Sequence, residues 1–172
     1  DGARGACVMS PNRACNNGGG VYLDATSAAV VADSVVEGSS AVSGGVVYLS
    51  SGASVDGFAR NSGARNDALR GGVAYIGGYA RLHSNHSSFA DSRAAVGAGV
   101  FADATALLES RNDTLVGLRA TGAGGALYAG ILAEVTVVGG RFERCASETS
   151  VGGALYAENV ALLRVERTAF RA

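Results

Sequence analysis

Apolar and polar positions along this chain recur in short bursts rather than in long runs. The clearest burst sets small residues before an apolar residue and an aromatic one. It reads Gly18-Gly19-Gly20-Val21-Tyr22, Gly44-Gly45-Val46-Val47-Tyr48, Gly71-Gly72-Val73-Ala74-Tyr75, Gly97-Ala98-Gly99-Val100-Phe101, Gly124-Gly125-Ala126-Leu127-Tyr128 and Gly152-Gly153-Ala154-Leu155-Tyr156. The aromatic residues stand 26, 27, 26, 27 and 28 residues apart. The residue before each aromatic is Val, Val, Ala, Val, Leu, Leu, and the residue after it is Leu, Leu, Ile, Ala, Ala, Ala. These paired volumes suit two side chains that share one packed interior. Strand alternation then sends the aromatic to the opposite face.

Two further strands follow in each repeat. Positions five and seven past the aromatic are small and apolar, Ala53 and Val55 or Ala106 and Leu108 for example, and both are expected inside. Fourteen past the aromatic come Val36, Phe89, Leu115, Phe142 and Phe170. Repeat two breaks this rule: Phe58 lies only ten past Tyr48, and Asn61 to Arg70 reads as a longer loop. No segment carries a helical period. Repeats of this length with three short strands predict an all-β fold, a parallel β-helix of about six coils of 26–28 residues. At ~4.8 Å per coil the stack would be a rod roughly 30 Å long. The expected organisation is an irregular lead-in or cap over residues 1–17 and the β-helix over 18–172. Because Phe170-Arg171-Ala172 ends part-way through a coil, the chain reads as a section of a longer protein. Its open C-terminal end would be covered by further coils or a protein partner, since unpaired edges template association.

Composition adds exclusions. With a net charge of −1 there is no electrostatic footprint for nucleic acid, and no apolar stretch approaches the ~18 residues of a membrane span. All 14 basic residues are Arg, which is read as a GC-rich coding bias rather than phosphate recognition. The Gly-Gly pairs lack a following Lys and precede strands, so they are not phosphate loops; they turn corners where a positive φ or close stacking excludes a Cβ. Cys7 and Cys15 lie close enough in sequence to pair as a disulfide, and Asn85-His86-Ser87 and Asn112-Asp113-Thr114 are glycosylation sequons. Together they point to an extracellular or cell-surface protein.

The Gly-Gly-small-apolar phrase, combined with Phe58-Ala59-Arg60-Asn61, resembles the repeat of chlamydial polymorphic outer-membrane proteins. Phe89-Ala90-Asp91-Ser92 and Phe142-Glu143-Arg144-Cys145 share only the Phe of the second motif. The resemblance spans residues 18–172 and implies a right-handed β-helix and a surface role in adhesion.

Three groups of residues invite a functional reading. Tyr22, Tyr48, Tyr75, Phe101, Tyr128 and Tyr156 would form an outward file, either a contact surface or a corner stack with only its hydroxyls wet. Asp56, His83 and Glu109 stand eight past the aromatic on consecutive coils, the best candidates for acid–base work of the pectin-acting kind, against the plainer reading of a solvated polar ladder. His83 and His86 should point to opposite faces, which argues against a two-His metal site; no metal or other cofactor is expected. Cys145 takes the Asn place of its motif, near Ser92 and Leu118, as a buried turn residue. The favoured expectation is a non-enzymatic structural or adhesive rod, a filament-forming or surface glycoprotein. A pectin-acting lyase or hydrolase and a carbohydrate-binding β-helix are the alternatives.

Overall fold

The computed structural model describes residues 7–172, and of Cys7 the backbone alone. The described chain contains no helix; 23 strands stack in parallel, each on the strand one coil earlier and later. The all-β solenoid of about six turns expected from the repeats is therefore the fold. One circuit passes an aromatic sheet of six strands (Val21–Leu23 to Leu155–Ala157), a second sheet of six (Ala28–Ala32 to Leu162–Glu166) and a third of seven (Cys7–Met9 to Ala169–Arg171). A fourth, short sheet adds a strand per coil to the three expected: Asp67–Arg70, Arg93–Val96, Arg119–Ala120 and Ala146–Ser147.

Each change of direction is made by a left-handed residue. Between the second and third sheets these are Asp33, Arg60, His86, Asn112, Gly139 and Arg167. A non-glycine residue costs roughly 1–2 kcal/mol in this region, so stacking must hold every corner. The Gly-Gly pairs divide the two reasons for glycine between them. Gly44 turns at φ 68°, whereas Gly45 has an ordinary φ but lies so close to the next coil that an added Cβ would fall 2.2 Å from the Gly72 carbonyl oxygen. Ala98 holds the second position in coil four. The next coil's turn above it is one residue longer, since Arg93 pairs with Arg119 but Val100 with Leu127.

Inside, the paired volumes pack as the sequence requires: Val47, Leu49, Ala74, Ile76, Leu127 and Ala129 are all buried around one core with Val55, Leu82, Leu108, Val135 and Phe142.

Two further features differ from the expectation. The lead-in is not irregular where it is described: Cys7–Met9 pairs in register with Ser34–Val36, and Arg13 and Asn17 bridge to Ser40 and Ser43. In repeat two the supposed loop from Asn61 to Arg70 contains two strands, Ser62–Ala64 and Asp67–Arg70. Gly63, not Phe58, lies opposite Val36 and Phe89. Phe58 instead sits on the second sheet opposite Val31 and Ser84, and its ring stacks on Phe89 at 5.9 Å. A large side chain displaced by one strand thus fills the room that Gly63 leaves.

The residues just after the corners form two inward polar files that sequence reading largely missed. In the first, the Ser34 N–H donates to Asn61 Oδ1 (3.1 Å), the Asn61 N–H to Ser87 Oγ (3.2 Å), and the Ser87 N–H to Asp113 Oδ1 (2.8 Å). In the second, the Ser39 N–H donates to Asn66 Oδ1 (3.0 Å) and the Asn66 N–H to Ser92 Oγ (3.2 Å). A left-handed corner interrupts the strand ladder, and a buried N–H there needs an acceptor; the side chain of the following coil supplies it.

Candidate functional site

The aromatic file faces outward, as alternation requires, and its rings stack on one another. Centroids lie 4.7 to 5.5 Å apart; from Tyr22 to Tyr128 neighbouring planes agree within 8°, and only Tyr156 tilts, by 31°. The rings cover each other to the point that Phe101 is 7% exposed, while Tyr22 at one end is 50% exposed. Flat stacking uses up the ring faces. A sugar ring needs such a face, so the interior of this file presents edges and hydroxyls rather than a stacking platform.

Carboxylates meet those hydroxyls. Tyr22 donates to Asp24 at 3.2 Å, and Glu158 accepts from both Tyr128 and Tyr156. Burial, reinforced by Glu158, pushes the Tyr128 hydroxyl well above its ordinary value, and burial raises Tyr75. The Asp24 carboxyl is held low, first by the Ala25 N–H and then by Ser50, and Glu158 is held low by Tyr128 and Tyr156. Tyr22, Tyr128 and Tyr156 therefore stay neutral donors, and their bonds clamp the two ends of the file. Replacing Tyr75, which stacks on both neighbours, by Leu keeps much of the apolar area but loses two ring contacts. The expected cost is about 1 kcal/mol in urea unfolding.

Asp56, His83 and Glu109 are only partly brought together. His83 lies directly opposite Glu109, and Thr136 and Arg164 continue that file. Asp56 falls at a β-bulge, where the register shifts between Leu82 and Ser84, so it is not a third member at ladder spacing. Its carboxylate reaches His83 Nδ1 at 3.9 Å, and Glu109 is engaged by Arg111 at 3.5 Å. All three side chains are at least 38% exposed. This is the arrangement of a solvated polar ladder. His83 projects from the second sheet while His86 forms the corner beyond it. Among the described residues, no three His, Cys, Asp or Glu are grouped to hold a metal.

The remaining candidates are placed as follows. Asn85 ends the strand Arg81–Asn85 and Asn112 forms a left-handed corner one coil on; both are exposed. Cys15 is an exposed free thiol, while the side chain of Cys7 lies outside the described residues, and with it the proposed pairing. Cys145 is half-buried at the foot of the second polar file, its thiol donating to the Glu143 (3.4 Å) and Leu115 (3.5 Å) carbonyls, and burial raises its pKa. Such a thiol is a poor nucleophile at neutral pH.

No family model matches the chain, and no curated protein or solved structure is significantly similar to it. No described helix is long and apolar enough to cross a membrane.

Proposed function

We propose that this chain is a rigid structural or adhesive rod of an extracellular or cell-surface assembly. The observation that carries the reading is continuity: the aromatic rings stack through all six coils, strand pairs on strand from coil to coil with a register shift only at the Asp56 bulge, and the inward polar files tie the earlier coils together. A stack in which every coil supports the next resists bending and local opening. The two sequons at exposed positions and the likeness of the Gly-Gly phrase to chlamydial surface-protein repeats support an external location.

Single-molecule pulling from the two ends tests the rod. The expected result is one cooperative, high-force event; coil-by-coil peeling at low force would remove the proposal. The competing pectin-acting reading makes the opposite forecast in a second assay. Incubation with polygalacturonate should release no new reducing ends, and release that disappears in Glu109→Ala would replace the rod by an enzyme.

A further inference from the structure

The fourth sheet carries a feature that the rod does not need. Arg93 lies directly opposite Arg119 on neighbouring strands, with Asp67 on the other side of Arg93. Strands in register are about 4.8 Å apart, and like charges placed directly opposite are destabilising. Six arginines elsewhere, Arg60, Arg65, Arg111, Arg141, Arg164 and Arg171, each reach a carboxylate within 3.5 Å, while Arg13, Arg81, Arg144 and Arg167 have no ion pair with a described residue. What sets Arg93 and Arg119 apart is that they stand directly opposite one another. Arg93 and Arg119 are both exposed, and neither guanidinium has a hydrogen bond or ion pair with a described residue.

The surroundings are a shallow, open trough. Two adjoining open cavities of about 440 and 470 Å³ share Asp67, Arg93 and Arg119 in their walls. Leu69, 59% exposed, and Ala95 give the second cavity an apolar strip beside the two guanidiniums. Arg65 and Asp91 stand at one margin and Glu148 at the other. Positive and negative groups are balanced in number there, so no broad field draws anions in. What is unbalanced is hydrogen bonding: two forked donors, one coil apart, neither bonded to the carboxylates of Asp67, Asp91 and Glu148 around them. Guanidinium forks of this kind match the two oxygens of a carboxylate or sulfate.

We propose that Arg93 and Arg119 form a binding site for a carboxylate or sulfate group carried on an extended acidic glycan. The polymer is favoured over a small anion because the trough is open along the stack, whereas small-ligand sites enclose their ligand. The apolar strip beside the charges suits the carbon face of a sugar ring. The site is separate from the outward ring file, and it stands or falls independently of the mechanical test of the rod.

Binding of the full chain to heparin (sulfated), polygalacturonate (carboxylated), neutral dextran and polyglutamate tests it, with the Arg Nε–Hε signals followed by NMR. Saturable binding to heparin, polygalacturonate or both is expected, with none to dextran; which of the two binds identifies the oxyanion. The Arg93 and Arg119 signals should shift, Arg93→Gln or Arg119→Gln should weaken binding about tenfold, and Arg164→Gln should leave it unchanged. Undiminished binding in the Arg93→Gln/Arg119→Gln double variant would overturn the site. So would unmoved guanidinium signals at saturating polymer, or a preference for polyglutamate over both glycans.

Discussion

Asn66→Ala is expected to cost the fold about 3 kcal/mol, measured as a lower urea midpoint with an unchanged slope. Asn66 is fully buried, and its amide makes two contacts at once: Oδ1 accepts the Ser39 N–H at 3.0 Å and Nδ2 donates to the Val36 carbonyl at 3.1 Å. Alanine leaves the buried Ser39 N–H unpaired, which costs about 1–3 kcal/mol, and removes the bond that Asn66 gives the Val36 carbonyl, worth about 1 kcal/mol more. Two coils on, the same file holds Leu118, also fully buried. The space thus accepts an apolar side chain, and the loss at Asn66 comes from hydrogen bonds rather than from volume. Asn66→Ser should recover part of it, because Ser39 and Ser92 occupy the neighbouring places in the file. A loss below about 1 kcal/mol for Asn66→Ala would mean that water replaces the amide.

The legible part of this structure was whatever repeats as an apolar period. The aromatic phrase announced the solenoid, and the volumes of Val47 with Leu49 or Leu127 with Ala129 announced which side faces in. Repeat two was misread for a physical reason. Its signal residue, Phe58, does not hold the place of Phe89 but fills the same space from the adjacent sheet, while Gly63 takes the equivalent position. A sequence register follows chain position, whereas the core is filled by volume. The bulge at Asp56 left a mark that could not be located: the Tyr48–Tyr75 interval is 27 residues against 26 on either side, but the aromatic spacing does not say where in the coil the extra residue lies, and the other 27-residue interval places its own in a turn. The misjudged Asp56-His83-Glu109 ladder follows directly from it.

The polar files show a signal that was present but unread. Ser34 with Ser39, Asn61 with Asn66, and Ser87 with Ser92 are pairs five residues apart, repeated at the coil period. The motif pointed only to Asn61 in the first file and to Ser92, Leu118 and Cys145 in the second, because an inward polar residue contradicts simple alternation. The left-handed corner resolves the contradiction: it turns the following N–H inward and creates the need that the polar side chain meets. The Arg93–Arg119 pair was hidden differently. Their 26-residue separation is the coil period, but the fourth sheet that aligns them was not expected.

Asp113→Asn should make the protein more stable at neutral pH and remove one source of its pH dependence. Asp113 occupies the place held by Asn61 and Ser87 in earlier coils. It is 5% exposed, accepting the Ser87 N–H at 2.8 Å and the Ser110 hydroxyl at 2.6 Å. Beside it is an internal cavity of about 30 Å³ lined also by Ser84, Ser87, Phe89 and Phe142. Burial pushes its carboxyl above the ordinary range, against the partial relief given by Ser110, the Ser87 N–H, Ser84 and the titratable side chain of His86. In the window between the unfolded value, about 3.9, and the raised native value, the native state holds the extra proton, so stability falls as pH rises. Above that window the cost of the buried charge is fully present. Below it both states are protonated and the cost vanishes. Asparagine carries no charge and restores a donor. Asn61 Nδ2 donates to the Val31 carbonyl at 2.7 Å and Ser87 Oγ to the Phe58 carbonyl at 3.4 Å, and the equivalent acceptor for residue 113 is Ser84. The expected gain at pH 7 is about 1–2 kcal/mol, one ordinary hydrogen bond plus the relieved charge. It should shrink towards zero in acid, as read from urea unfolding of parent and variant across the pH range. Taking the difference between the two proteins cancels Asp24, Glu143 and Glu158, whose depressed values act in the opposite sense. A variant less stable than the parent at pH 7, or a gain that does not change with pH, would show that the Asp113 carboxylate is solvated through the cavity and carries no burial penalty.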